Sequence, residues 1–240
     1  MVKFVRRMLW RILGRPPATA RIHVGKHGCL RCAASFLAWN QVDGDYLEFG
    51  VFRGGSFAEA YRAMNMEREY VFQQIGSSTD PEFFSHKPRF FAFDSFRGIP
   101  GGEAERHADY DEGAYSCSES EFLENIQRNG VDLDHVITVP GFYDDSLTPE
   151  IKEKLGLERA ALIMIDCDLY ESTVPVLDFV TDLVTQGTII IFDDWYRFKG
   201  SPDSGEQRAC SEWLARNPQI SLVKYWQQGP QSVAFLVNKN

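Results

Sequence analysis

The chain has 240 residues, of which 44% are hydrophobic and 25% are charged. This composition suits one large α/β domain with a substantial core and excludes a disordered or fibrous protein. The formal net charge is −9, from 34 acidic and 25 basic side chains. Because a chain of this charge is poorly suited to neutralising phosphates, we expect no nucleic-acid partner.

Charge is distributed unevenly along the chain. Residues 1–42 carry eight basic side chains and no acidic one, in an amphipathic pattern whose apolar run is interrupted by Arg11. The pattern is too short for a signal peptide or a membrane span. We expect a basic helical arm over 1–42 that packs on its own domain or joins a homo-oligomer, without membrane contact, ahead of one domain over 43–240.

The five cysteines form an odd set in a chain without an export signal, so we expect free thiols and a reducing, cytoplasmic setting. His23, His27, Cys29 and Cys32 lie close together in sequence and offer nitrogen and sulfur ligands for zinc. Structural zinc sites usually draw a second ligand pair from farther along the chain, and a pair of buried free thiols is the commoner outcome for such a cluster.

Apolar runs alternate with helical patterns along the rest of the chain. The runs predict strands at 45–51, 89–94, 135–139, 160–166 and 187–192. The helical patterns fall at 56–65, 119–129, 149–155, 172–185 and 204–216. Strands that are apolar on both faces and alternate with helices predict a doubly wound, mostly parallel α/β sheet.

Two further strand candidates, 220–226 and 232–237, are joined by Gly229 and Pro230. A connection this short makes them antiparallel, so the sheet has seven strands with an antiparallel one near its end. Residues 98–118 follow the second strand and show no period. Their position at the edge where such sheets bind ligands predicts a lid or substrate loop.

The first strand ends in a glycine-rich turn, Glu48-Phe-Gly50-Val-Phe-Arg53-Gly54-Gly-Ser56. Its spacing differs from the GxGxxG pattern of a pyrophosphate site. The turn suits a nucleoside ligand with an amino acid part, with Glu48 facing a charged or amino group. The alternative is an ordinary tight turn with an exposed glutamate.

Acidic residues follow three other strands. Asp94 ends the second strand, where a carboxylate commonly binds ribose hydroxyls. The fourth strand delivers Asp166 and Asp168, and the fifth delivers Asp193 and Asp194. Four carboxylates at adjacent strand ends repel one another unless a cation such as Mg²⁺ binds between them, although one of them could instead cap a helix.

Several segments together resemble one enzyme family. They are YLEFGVFRGGS, FAFDSFRG, GFYDDSL, IDCDLYEST and FDDW. In this order, over roughly residues 44–237, they look like the sugar O-methyltransferases of the macrocin, mycinamicin and novobiocin type. That resemblance implies a class I, Rossmann-like methyltransferase domain that uses S-adenosylmethionine and Mg²⁺ to methylate a hydroxyl of a sugar or glycosylated metabolite.

The resemblance also implies roles for individual residues. The Mg²⁺ ligands are Asp166, Asp193 and Asp194, and the general base is Asp168. Glu48 and Gly50 line the methionine end of the cofactor, Asp94 its ribose, and Gly141 and Phe142 its adenine. The full set expected at the cofactor is Glu48, Gly50, Arg53, Gly54, Ser56, Asp94, Ser95, Gly141, Phe142 and Asp166.

Some features fall outside the resemblance. An insertion over 66–88 has no counterpart in it, and the lid residues His107, Tyr110 and Tyr115 have no assigned role, so the acceptor is not determined. Two alternatives remain. One is a phosphatase of the haloacid dehalogenase type, with Asp166 as nucleophile; the other is a non-catalytic binding module of the same fold.

Overall fold

The computed structural model describes residues 28–76, 81–101 and 111–239. Residues 1–27 of the predicted arm, including His23 and His27, lie outside the described residues, as do the lid residues His107 and Tyr110. Across the described ranges, no helix combines the length and the apolar composition that a membrane crossing requires.

Seven strands form one sheet within the described part of the chain. They are β1 Asp45–Phe49, β2 Phe90–Asp94, β3 Val136–Pro140, β4 Ala160–Ile165, β5 Val184–Phe192, β6 Ile220–Gln228 and β7 Ser232–Lys239. Their order across the sheet is β3-β2-β1-β4-β5-β7-β6. The first five strands pair in parallel, whereas β7 pairs antiparallel with both β5 and β6. The predicted doubly wound α/β sheet with an antiparallel ending is therefore confirmed.

Helices cover both faces of the sheet. They are α1 Gly28–Trp39, α2 Gly55–Ile75, α3 Pro81–Ser85, α4 Glu119–Arg128, α5 Tyr143–Ser146, α6 Pro149–Leu155, α7 Tyr170–Val180 and α8 Gly205–Arg216. One face buries Leu30 and Phe57 against Tyr46, while the other buries Val176 and Trp213 with Leu47. Successive residues of a strand point to opposite faces, so β1 contributes to both cores.

Two sequence-based boundaries were wrong. The helix expected over 56–65 continues to Ile75, and α3 follows it within the segment 66–88. Strong helix formers and buried side chains such as Met64 and Val71 extend α2. At the other boundary, the helix expected to reach 185 ends at Val180, because β5 already begins at Val184 and pairs there with Ala160.

Helix α1 packs against the sheet domain, although its residues belong to the predicted N-terminal arm. Its buried side chains include Leu30 and Leu37, and Tyr225 of β6 donates a hydrogen bond to the Cys32 carbonyl at 3.4 Å. The five cysteines are free and buried, as expected. Burial is the main cause that raises the pKa of Cys29 to about 12 and that of Cys32 to about 11.

A charged side chain braces the amino end of the parallel strands. Arg89, just before β2, donates to the buried Asp45 carboxylate of β1, with Nη2 at 2.6 Å from Oδ2. The same guanidinium donates at 2.8 Å to the carbonyls of Leu155 and Gly156, at the end of α6. One side chain thus joins three segments and satisfies the buried carboxylate.

Replacing Arg89 tests this brace. We expect Arg89→Met to lower the free energy of unfolding by about 3 kcal/mol, because it leaves the Asp45 carboxylate buried without its cation. Arg128→Met is the matched control, since the Arg128–Glu124 ion pair is exposed and should contribute less than about 1 kcal/mol. Urea unfolding of both variants measures the difference, and equal losses would contradict the structural role of Arg89.

Candidate active site

A cavity of about 460 Å³ opens at the carboxyl ends of the parallel strands. It is lined by many of the residues that the sequence analysis singles out, and several loops contribute to it. The predicted residues brought together there are Gly50, Asp94, Ser95, Gly141, Phe142, Asp166, Asp168, Asp193 and Asp194. Ligand sites of open α/β sheets lie at this edge.

Gly50 allows two strand ends to touch. Its φ is +88°, and a Cβ atom at this position would lie 1.9 Å from the carbonyl oxygen of Asp166. The Asp166 amide in turn donates to the Phe49 carbonyl at 2.9 Å. Any side chain here would push β1 and β4 apart, so glycine is required by the close approach of another backbone.

Asp94 holds the loops on either side of the cavity. Its Oδ2 accepts from the amides of Val51 at 2.8 Å and Phe52 at 3.3 Å, and its Oδ1 accepts from Phe96 at 2.7 Å. Ser95 orders the same loop, because its hydroxyl donates to the Gly98 carbonyl at 2.9 Å. The turn after β1 and the loop after β2 are therefore fixed by one carboxylate that also lines the cavity.

Glu48 is fully buried behind the cavity and is not among the residues that line it. Tyr46 donates to one carboxylate oxygen at 2.5 Å, and Ser56 donates to the other. Burial raises the pKa of Glu48 to about 8, against the lowering effect of these hydrogen bonds. The family resemblance implied that this side chain lines the cofactor site; in the structure it lies beneath the glycine-rich turn.

The other predicted residues of this turn also lie outside the cavity lining. Arg53 is exposed, with its Nε 3.8 Å from Glu121. Gly54 precedes α2 with a φ of +78°, and a Cβ atom there would lie 2.3 Å from the Ile126 side chain. Arg53, Gly54 and Ser56 thus contact protein groups around the turn.

Three carboxylates converge on the cavity. One oxygen atom each of Asp166, Asp168 and Asp194 lies within 4.8 Å of the others. Asp168 has a φ of +66°, which is strained for a residue other than glycine and typical of functional sites. The neighbouring Asp193 lines the cavity and accepts a hydrogen bond from Ser232 at 2.5 Å.

The carboxylates of the cluster repel one another strongly. Burial, followed by the charges of Asp193, Asp168 and Asp194, raises the pKa of Asp166 well above its ordinary range. A divalent cation with oxygen ligands would relieve this repulsion, so the residues present fit Mg²⁺. Arg197 already offsets part of the charge, with its Nε 3.1 Å from Asp194.

Sequence reasoning missed two residues beside the cluster. Glu206, in the first turn of α8, is 1% exposed, and its Oε2 accepts from the Asp194 amide at 3.1 Å. Burial and then Asp194 raise the pKa of Glu206 well above its ordinary range. Arg197 lines the cavity itself. Arg197 lies two residues and Glu206 eleven residues after the predicted FDDW segment, and only packing shows that both contact it.

The described ends of the predicted lid close on each other. Ile99 and Ala114 are joined by a backbone hydrogen bond of 3.0 Å, and so are Gly113 and Ile99. Ile99 and Tyr115 line the cavity. Both described ends of the predicted lid thus lie at the cavity.

The burial of Glu48 generates a pH prediction. Between its ordinary pKa of 4.5 and about 8, the folded chain keeps a proton on Glu48 that the unfolded chain has released. The free energy of unfolding therefore falls as pH rises through this range. In Glu48→Gln the side chain is neutral at every pH, so the part of the pH dependence that comes from Glu48 should disappear. Urea unfolding from pH 5 to 8.5 with EDTA measures the difference.

Exposed Glu153 supplies the matched control for that experiment, as Glu153→Gln. The stability of the wild type relative to Glu48→Gln should decline with rising pH and level off above about pH 8. The plots of unfolding free energy against pH for the wild type and for Glu153→Gln should run parallel. If the plots for the wild type and for Glu48→Gln also ran parallel, Glu48 would be ionised in the folded chain.

Comparison with known proteins places the whole arrangement in one family. The model of the family described as macrocin-O-methyltransferase (TylF) matches residues 15–207. A Streptomyces olivaceus protein, 8-demethyl-8-(2,3-dimethoxy-alpha-L-rhamnosyl)-tetracenomycin-C 4'-O-methyltransferase, is 30% identical over 196 residues, covering 77% of this chain and 67% of the relative. Demethyldecarbamoylnovobiocin O-methyltransferase of Streptomyces niveus is 25% identical over 191 residues, covering 75% and 64%. The matched segments thus span about two thirds of these relatives.

Solved structures show the same fold. The O-methyltransferase NovP superposes with a TM-score of 0.66 at 23% identity, covering 87% of this chain and 77% of NovP. CalS11, a calicheamicin methyltransferase, gives a TM-score of 0.62 at 18% identity, covering 98% and 91%. The resemblance found in the sequence is confirmed, and the methyltransferase interpretation prevails over the phosphatase. The chain belongs to the macrocin O-methyltransferase (TylF) family, and with it to the S-adenosylmethionine-dependent O-methyltransferases.

Proposed function

We propose that this protein transfers the methyl group of S-adenosylmethionine to a hydroxyl of a sugar or glycosylated metabolite, with the help of Mg²⁺. The observation that carries the proposal is the meeting of two features in one cavity, the loops after β1 and β2 and the acidic cluster after β4 and β5. The relatives named for a rhamnosylated tetracenomycin and for a novobiocin precursor support a glycoside acceptor.

The cofactor site is proposed at the loops that follow the first three strands. Gly50 keeps the turn after β1 against β4, and Asp94 fixes that turn through the Val51 and Phe52 amides. Oδ2 of Asp94 already accepts from two amides, whereas Oδ1 accepts from Phe96 alone among the amides of these loops, so Oδ1 has a lone pair that can accept from a ribose hydroxyl. Ser95, Gly141 and Phe142 line the same side of the cavity. When bound, the cofactor supplies an electrophilic sulfonium methyl group.

The metal site is proposed at Asp166, Asp193 and Asp194, as the family resemblance implies. Asp166 and Asp194 belong to the converging carboxylates, and Asp193 lines the same cavity. Mg²⁺ at this place would acidify a neighbouring hydroxyl and fix its orientation. Arg197 and Glu206 hold Asp194 through its side chain and its amide, respectively.

Asp168 is proposed as the general base. Its carboxylate lies in the cavity beside Asp166 and Asp194, within the group that would surround the reacting hydroxyl. It takes the proton from that hydroxyl. Glu171 and Ser172, in the first turn of α7, add polar groups to the same wall.

Calorimetric titration with S-adenosylhomocysteine tests the cofactor site. We expect micromolar binding, about −8 kcal/mol, with Mg²⁺ and with EDTA, because none of the side chains proposed above for the cofactor is a proposed metal ligand. Absence of binding under both conditions would contradict the proposal at its first step, before any acceptor is considered.

Three substitutions separate the metal ligands from the base. We expect Asp193→Asn to weaken Mn²⁺ binding, measured by electron paramagnetic resonance, and to abolish metal-dependent methyl transfer. Asp168→Asn should keep the metal and slow the transfer by about 100-fold or more, as expected for loss of a general base. Asp203→Asn, an exposed residue outside the cavity lining, is the matched control.

The converging carboxylates offer a specific contrary outcome. Asp168 is one of the three carboxylates whose oxygens lie within 4.8 Å of one another, together with Asp166 and Asp194. If Asp168→Asn lost Mn²⁺ binding and Asp193→Asn retained it, the third metal ligand would be Asp168. The proposed division of roles would then be wrong.

A further inference from the structure

The size of the cavity limits what it can enclose. Its volume is about 460 Å³, and sites of roughly 300–1,000 Å³ hold one drug-sized ligand. The proposed reaction brings two ligands together, a nucleoside cofactor and an acceptor. A single sugar ring fits beside the cofactor at the acidic cluster, but the remainder of a glycoside has to extend through the mouth of the cavity.

Two aromatic rings stand at that mouth. Phe52 lies in the glycine-rich turn and is 38% exposed, and Tyr115 lies near the end of the predicted lid and is 49% exposed. Both line the cavity. Their ring centroids are 5.8 Å apart and their planes meet at 89°, so they form a right-angled apolar corner from two separate segments of the chain.

Both residues adopt backbone conformations that aromatic side chains rarely take. The φ of Phe52 is +42° and that of Tyr115 is +55°, and a positive φ is strained for side chains of this kind. Exposure of the two rings adds a further cost, because large apolar groups are more stable when buried. The two residues are both strained and exposed, and both line the cavity. This combination indicates that a bound ligand covers the rings.

The corner differs in polarity from the floor of the cavity. Ile99 and Pro100 line the cavity with the two rings, and the Arg53 guanidinium lies 5.2 Å from the Phe52 ring centroid. The floor carries the carboxylates of the acidic cluster. Polar hydroxyls therefore suit the floor, whereas an apolar or aromatic surface suits the corner.

We propose that Phe52 and Tyr115 bind the apolar aglycone of the acceptor, so that the enzyme prefers glycosides to free sugars. This inference rests on the proposed function and specifies its acceptor. The sugar ring enters toward the acidic cluster, and the aglycone packs on the aromatic corner outside. The pair acts in binding and selectivity, and takes no part in the proton or methyl transfer.

The test compares aryl glycosides with their free sugars, beginning with phenyl α-L-rhamnopyranoside and L-rhamnose. In Phe52→Ala and Tyr115→Ala we expect the preference for the glycoside, as the ratio of the two kcat/KM values, to fall about tenfold, mainly through KM. A tenfold change corresponds to about 1.4 kcal/mol, in line with loss of one aromatic contact. Tyr115→Phe keeps the ring and should restore most of the lost preference.

Phe72→Ala is the matched control, because Phe72 is also 49% exposed but lies on α2 away from the cavity lining. S-adenosylhomocysteine affinity should stay within about twofold of the wild type in the Tyr115 and Phe72 variants. Unchanged glycoside preference in both alanine variants, or an equal change in Phe72→Ala, would overturn the role of the corner while leaving the methyltransferase intact. A wild-type enzyme that binds cofactor but methylates no glycoside would refute the proposed acceptor class and the inference with it.

Discussion

The contact between the ends of β1 and β4 is the constraint on which the site depends. Gly50 has no side chain, so its backbone reaches the Asp166 carbonyl, and the Asp166 amide donates to Phe49. This contact brings the glycine-rich turn and the first carboxylate of the acidic cluster to one place. Asp94 then ties the turn to the loop after β2 through backbone amides. The cofactor side and the acidic side of the cavity thus share one rigid junction.

The same junction concentrates carboxyl groups that the fold itself does not need. Burial raises the pKa of Glu48, Asp166 and Glu206 together, which means that their charged forms destabilise the folded state. The fold tolerates them because hydroxyls and amides satisfy several of their oxygens, as Tyr46 and Ser56 do for Glu48. The two apolar cores and the ion pair between Arg89 and Asp45 stabilise the fold and offset the destabilisation caused by these buried carboxyl groups.

The sequence predicted the sheet and the acidic cluster well for a physical reason. Buried parallel strands appear as continuous apolar runs, and parallel topology places the residues after them at one edge, so Asp166 and Asp194 were expected together. The burial of Glu48 was not predictable, because its partner Ser56 is identified only when α2 packs on β1. The exposure of Phe52 and Tyr115 was equally hidden, since aromatic residues are ordinarily buried and no pattern in the sequence marks these two as exposed.

The strand ends therefore position the reacting carboxylates, whereas the loops carry the proposed contacts with the acceptor. The carboxylates follow strands whose positions are set by both cores, so their geometry changes little unless the sheet itself changes. Phe52 and Tyr115 lie on a turn and on the end of the lid, where strain and exposure are borne locally and a substitution leaves the sheet intact. A family that keeps one methyl-transfer chemistry while changing acceptors would vary such rim residues first, because only there does altering the contact with the acceptor leave the reacting groups in place.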